Sequence, residues 1–96
     1  MNSNGSNQGF VITAFWETKP GEEDSVAGLL RKFLPEARKE EGVKEFQIHQ
    51  SVTKPQEFFF YEVFAAHQQT EHFKKFILGE AIPKLAKRER SQFRFI

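Results

Sequence analysis

Two segments of this 96-residue chain are apolar at nearly every position. They are GFVITAFWE (residues 9–17) and FFFYEVF (residues 58–64), and both are rich in β-branched and aromatic side chains. Because successive side chains of a strand point to opposite faces, a strand of this kind is stable only when both of its faces are covered. The sequence therefore predicts two interior strands in a sheet that is covered on both sides.

Phenylalanine supplies most of this apolar character, with 12 Phe against one Trp and one Tyr. A Phe ring has no polar group, so it is stable in a core, against a partner or around an apolar ligand. A chain of this length encloses only a modest core. The excess of Phe therefore favours self-association.

The segment between the two apolar strands has a helical pattern. Starting from Glu22, apolar residues recur with the spacing of one helix face, at Val26, Leu29, Leu30, Phe33, Leu34 and Ala37. Acidic residues at its start suit the positive end of the helix dipole. Pro35 is expected to kink the helix or end its first part, and Gly42 to close it.

The remaining segments complete the order of elements. VKEFQIHQSV (43–52) alternates as a half-buried strand does, and TKPQE (53–57) is a hairpin-length loop. HQQTEHFKKFI (67–77) predicts a second helix, and IPKLAKRER (82–90) a further short helix. QFRFI (92–96) predicts a final strand.

The resulting order, β-α-β-β-α-β, predicts an α+β fold of the ferredoxin-like kind. Right-handed crossovers place four antiparallel strands in one sheet with the helices on one face. The other face also carries apolar side chains, so a second copy packed sheet against sheet is expected to cover it. We therefore expect a homodimer that forms through the sheet face.

Composition excludes several classes of function. The net charge of +1 gives no reason to expect nucleic acid, and the basic run KLAKRER (84–90) is interpreted as a solvated face. The absence of Cys excludes disulfides and thiolate chemistry, and no apolar run is long enough to span a membrane. Residues 1–9 are polar and small, so we expect a disordered tail before a single domain at 10–96, and a cytoplasmic location.

The chain resembles the antibiotic biosynthesis monooxygenase domain family, of the dimeric α+β barrel group. The likeness is carried by TKPG (18–21) before an acidic helix start and by ARKEEGVKEFQIHQS (37–51). It continues in EFFFYEVF (57–64), where the family has an aromatic residue beside a Glu, and in AHQQTEHFKKF (66–76). In this chain fewer residues separate that Glu from the following His than is usual in the family.

The resemblance implies a monooxygenase without a cofactor that acts on a small aromatic such as a quinol, an anthrone or a polyphenol. The deprotonated substrate itself reduces oxygen, so the protein supplies an apolar cavity, a base and hydrogen-bond donors. Two alternatives remain, a non-catalytic dimeric ligand-binding or structural protein and a small-molecule isomerase. Haem chemistry is disfavoured, because the first strand has no Asn and Phe64 stands where haem-degrading relatives have Trp.

The resemblance also suggests the residues of the site. His67 is implied as the catalytic base or orienting donor, because it matches the family position that points from the second helix toward the cavity. Trp16, Phe60, Tyr61 and His72 are expected to bind the substrate. No metal site is expected, because His67 and His72 are five residues apart and do not share a helix face.

Glu62 is the one acidic residue inside FFFYEVF, where an unpaired carboxylate would be unfavourable. One interpretation is a carboxylate adapted by burial for proton transfer. The other, which we favour from the sequence, is a structural ion pair with Arg94 of the last strand or with a residue across the dimer.

Overall fold

The computed structural model describes residues 9–65 and 77–96. Its strands are β1 (Phe10–Thr18), β2 (Val43–Gln50), β3 (Glu57–Phe64) and β4 (Leu85–Arg94), and its long helix is α1 (Glu23–Arg38). A π-helical turn (Ile77–Ala81) and a 3-10 turn (Ile82–Lys84) precede β4. The four strands form one antiparallel sheet in the order β2-β3-β1-β4. This confirms the predicted ferredoxin-like α+β fold.

The core lies between α1 and the half of the sheet formed by β2 and β3. Phe33 of α1 meets Phe46 of β2 edge to face at a centroid distance of 5.8 Å. The buried apolar residues of α1 that join this core are Val26, Ala27, Leu30, Phe33 and Ala37. They repeat with the helical spacing seen in the sequence, so this face of α1 is fixed by hydrophobic burial.

Of the two effects expected of Pro35, the structure excludes an end of the helix, because α1 continues past this residue to Arg38. A kink at Pro35 stays a prediction. Pro35 is exposed, so its ring lies outside the buried face of α1. The next turn still buries Ala37, which favours continuing the helix. The chain then turns at Gly42, whose φ of 95° lies in the left-handed region that favours glycine.

The expected short helix over 82–90 was also wrong. A single 3-10 turn ends at Lys84, and β4 begins at Leu85 and runs to Arg94. β4 is an edge strand whose residues are almost all exposed, and it is held by pairing with β1 along its length. Its stability therefore comes from backbone hydrogen bonds, which leave little hydrophobic pattern in the sequence.

Gly9 fixes where β1 starts against the end of β3. Its φ is 82°, and a Cβ at this position would lie 1.7 Å from the carbonyl oxygen of Phe64. Only glycine fits so close an approach. The adjacent Phe10 ring stacks on the Phe64 ring at 5.2 Å.

Three predictions fall on residues outside those that the structure describes. They are the first eight residues of the expected tail, residues 67–76 of the expected second helix, and the site residues His67 and His72 within that helix.

Candidate functional site

A row of four directly paired side chains crosses the sheet on the face that α1 covers. It consists of Phe46 of β2, Glu62 of β3, Ile12 of β1 and Gln92 of β4. Residues that pair directly across antiparallel strands share one face of the sheet. Glu62 is therefore the acidic group of a row that is otherwise apolar or neutral.

The carboxyl group of Glu62 is almost completely removed from water. Its residue is 5% exposed, and Oε2 has no hydrogen-bond partner among the described residues. Burial raises the pKa of Glu62 from its ordinary value of 4.5 to about 7, and the nearby Arg90 guanidinium opposes part of this rise. A carboxyl that titrates near neutrality can both accept and release a proton at physiological pH.

Two aromatic side chains lie on the same face as Glu62. Trp16 is 3% exposed and Phe60 is 2% exposed, and their ring centroids are 4.5 Å apart. They occupy the neighbouring rows of β1 and β3. The structure thus brings Trp16 and Phe60 into contact, and Phe60 is one row away from Glu62 on the same face. Their expected role in substrate binding stays a prediction.

Tyr61 lies on the opposite face of the sheet. It pairs directly with Thr13 of β1 and Gln47 of β2, one position out of phase with Phe60 and Glu62. Its phenol therefore points away from the row that contains Glu62. The structure does not place Tyr61 with the other candidate pocket residues.

The expected ion pair between Glu62 and Arg94 stays a prediction. Neither residue takes part in an ion pair with a described residue, and Arg94 is exposed at the end of β4. The cation whose charge acts on Glu62 is Arg90, one row away on the same face.

Arg90 belongs to a set of side chains that we call the arginine column. The column consists of Arg88, Arg90, Gln92 and Arg94, which pair with Trp16, Ala14, Ile12 and Phe10 of β1 and so share the face of Glu62. Because residues 82–90 were expected to form a helix, the common face of these side chains was not predicted. The signal that would have found it is the period-two alternation of QFRFI, extended backwards through KRERS.

A shallow groove lies at the far side of the same sheet face. It has a volume of about 160 Å³ and is lined by Ala27, Leu30, Arg31, Leu34, Ile48, Gln50 and Phe58. Sites for drug-sized ligands usually enclose roughly 300–1,000 Å³. This groove is therefore too small to hold a polycyclic substrate, and it lies away from Glu62.

The described residues contain no cluster of three or more His, Asp or Glu side chains that could hold a metal ion. Within the same residues, no helix is long and apolar enough to cross a membrane.

The fold and site define a ferredoxin-like α+β domain with a buried carboxylate on its central strand. Residues 9–78 match the family model described as antibiotic biosynthesis monooxygenase. Because this match spans well over half of the chain, the protein belongs to the antibiotic biosynthesis monooxygenase family. No curated protein sequence matches the chain significantly.

Solved structures share the fold along almost the whole chain. A conserved protein from Methanosarcina mazei Go1 superposes with a TM-score of 0.79 at 20% identity, covering 96% of this chain and 97% of its own. A protein from Pseudomonas aeruginosa gives 0.74 at 25% identity, with 91% and 93% covered. A protein described as an antibiotic biosynthesis monooxygenase gives 0.71 at 19% identity, with 91% and 96% covered.

Proposed function

We propose that this protein is a cofactor-independent monooxygenase that acts on a small electron-rich aromatic, such as an anthrone, a quinol or a polyphenol. The observation that carries the proposal is the carboxyl of Glu62, which is buried, has no described partner at Oε2 and has a pKa of about 7. Family membership supports the reaction class.

The reaction needs a proton acceptor in a dry site more than it needs a bound cofactor. With an anthrone as substrate, the base removes a proton from the methylene carbon, and the resulting carbanion transfers electrons to O₂. The carbon–oxygen bond then forms, and loss of water leaves a carbonyl, so one O₂ yields one quinone oxygen and one water. Glu62 is proposed to accept the first proton, because its pKa is near the working pH.

The apolar surroundings of Glu62 support this role. Phe46 and Ile12 pair directly with Glu62, and Phe60 lies in the next row of the same face. Burial among these apolar side chains keeps the basicity of the carboxyl higher than that of an exposed glutamate. His67, which the family resemblance implies as the base or orienting donor, lies outside the described residues and is the second candidate in this proposal.

Oxygen uptake with 1,8-dihydroxyanthrone and a set of hydroquinones tests the proposal. We expect the wild-type protein to accelerate uptake, and Glu62→Gln to reduce the rate roughly 100-fold or more, in line with the loss of a general base. The matched control is Glu45→Gln, because Glu45 is exposed on β2 and does not share a face with Glu62. Circular dichroism confirms that each variant is folded.

The possible results test the monooxygenase activity and the identity of the catalytic base separately. If no substrate reacts faster with the wild-type protein than without it, the monooxygenase proposal is wrong. If His67→Ala abolishes uptake while Glu62→Gln keeps the full rate, the base is His67 and the role proposed for Glu62 is wrong.

A homodimer through the open face of the sheet is part of the same proposal. Among the described residues no helix covers this face, and it exposes Phe59 (45%) and Phe93 (54%) beside Val11, Phe15 and Tyr61. A second sheet packed on it would remove these rings from water. Sedimentation equilibrium is expected to give twice the mass of one chain, and a monomer at all concentrations would contradict the proposal.

A non-catalytic ligand-binding or structural protein of the same fold is the alternative. The close packing of Trp16 on Phe60 favours it, because a filled interior leaves no room for a substrate between these rings. The oxygen-uptake experiment decides between the two functions.

A further inference from the structure

The arginine column and Glu62 lie on the same face of the sheet but on different strands. The four members of the column occupy alternate positions of β4, so their Cα atoms follow one another at intervals of roughly 6.7 Å. Arg88 and Arg90 are neighbours in the column, and Gln92 separates Arg90 from Arg94. Glu62 is on β3, and β1 lies between the two strands. Two interstrand spacings of about 4.8 Å therefore separate the carboxylate strand from the arginine strand.

The surface of β1 between them, which we call the floor, is apolar. Ile12 and Ala14 of β1 pair directly with Glu62 and Phe60 on one side and with Gln92 and Arg90 on the other. Both floor residues are only partly buried, whereas Trp16 at the next position along this face is fully buried. The floor therefore has apolar surface that a planar ligand can cover.

The charges on β4 differ sharply between its two faces. On the open face, Lys87 forms an ion pair with Glu89 at 3.4 Å and lies over the ring of Phe15 at 6.0 Å. Arg88, Arg90 and Arg94 form no such ion pair with any described residue. Within the described residues, no carboxylate therefore lies within 4 Å of the cations of the arginine column, and the buried Oε2 of Glu62 on the same face has no hydrogen-bond partner.

We propose that this surface binds an aromatic ligand carrying an anionic substituent, with the ring on Ile12 and Ala14, the substituent on Arg90 and its column neighbours, and the opposite edge against Glu62. A guanidinium presents two parallel N–H groups that match a carboxylate or a phosphate. Gln92, in the row of Glu62, offers a neutral donor and acceptor between the cations.

This inference rests on the proposed function and narrows its substrate class. A neutral quinol would use the apolar floor alone, whereas an aromatic carboxylate or aryl phosphate would also satisfy the arginine column. The charged group at one edge would fix which ring carbon faces Glu62, so the same contact sets both affinity and orientation.

Calorimetric titration with non-reacting ligands tests the proposal without relying on turnover. The probes are 1-naphthoate, 1-naphthyl phosphate and the neutral 1-naphthol. For the wild-type protein we expect at least one anion to bind about tenfold more tightly than 1-naphthol, as one charge-assisted contact would give. The tighter anion identifies the substituent as a carboxylate or a phosphate.

The matched variants are Arg90→Gln and Lys87→Gln, which remove one positive charge from opposite faces of the same strand. Arg90→Gln is expected to abolish most of the anion preference and to leave 1-naphthol binding within about twofold. Lys87→Gln is expected to keep the preference. Equal binding of all three probes, or an equal loss in both variants, would overturn the proposal.

Failure of this inference is distinguishable from failure of the proposed function. Oxidation of neutral hydroquinones with no preference for the anionic probes would refute the anionic substituent and leave the monooxygenase proposal standing. An Arg90-dependent preference in a protein that oxidises none of the quinols would support the binding surface and refute the catalytic function.

Discussion

Phe59 and Phe60 are adjacent in the sequence, yet they belong to two faces of the sheet with different environments. Phe60 is 2% exposed and contacts Trp16 on the face covered by α1, whereas Phe59 is 45% exposed on the open face. The covered face also holds Glu62 and the arginine column, while the open face pairs its charges, as in Lys87 and Glu89. The comparison teaches that one strand supplies both the candidate reaction site and the candidate subunit interface.

The largest expected effect is on folding stability. Phe60→Ala should reduce the free energy of unfolding by about 3–5 kcal/mol, because it opens a cavity in the core. In an isolated chain Phe59→Ala should cost only about 1 kcal/mol, since the ring is already half in water. Urea unfolding measures both, and Phe60→Leu, at about 1 kcal/mol, replaces the alanine variant if that protein does not fold.

The same experiment at two protein concentrations sharpens the comparison. If a second copy covers the open face, the cost of Phe59→Ala should grow as the protein concentration rises, whereas that of Phe60→Ala should not. Similar costs for both variants at low concentration would refute the difference between the two faces.

The next effect concerns the pH dependence of stability. Because the pKa of Glu62 is about 7 in the folded protein against an ordinary value of 4.5, the folded protein binds more protons between these values. The contribution of Glu62 is thus fully favourable below pH 4.5 and is lost as the pH rises through 7. Glu62→Gln should therefore be more stable than the wild-type protein at pH 8, by up to about 3 kcal/mol.

Chemical unfolding at pH 5 and pH 8 measures this effect. Glu45→Gln, on the open face, is the control and should keep the wild-type pH dependence. If the difference in stability between Glu62→Gln and the wild-type protein is the same at both pH values, the carboxyl does not titrate in this range.

The parts of the fold that could be predicted from the sequence are those in which burial requires a regular pattern of apolar residues. β1 and β3 lie inside the sheet, so both of their faces select apolar residues, and α1 buries one stripe. The start of β4 was misread because an edge strand is held by backbone pairing, and its side chains remain in water. The alternation of charged residues in KRERSQFR was therefore the remaining clue.

The candidate site, like the fold, could be predicted from the sequence only in part. Glu62 stands out in the sequence because its neighbours are apolar, and period-two alternation alone would have separated Tyr61 from Phe60. Arg90 could not be matched to Glu62 in advance, because their proximity depends on the registers of β4 on β1 and of β1 on β3. A shift of one residue in either register would move Arg90 to the opposite face.

The smallest expected effect is a change in the pKa of Glu62, which tests the registers of β4 on β1 and of β1 on β3. Arg90 opposes the rise in the pKa of Glu62, so Arg90→Gln should raise this pKa further. The rise should be small, because the charge of an exposed cation is screened by solvent. Carbon-detected NMR titration of the Glu62 carboxyl measures the change. Lys87→Gln should leave the titration of Glu62 unchanged, because Lys87 is on the open face.

A shift of equal size in both variants would mean that net charge alone acts on Glu62. The absence of a shift in Arg90→Gln would mean that the arginine column does not reach the carboxyl, and the two groups could not bind opposite edges of one ligand.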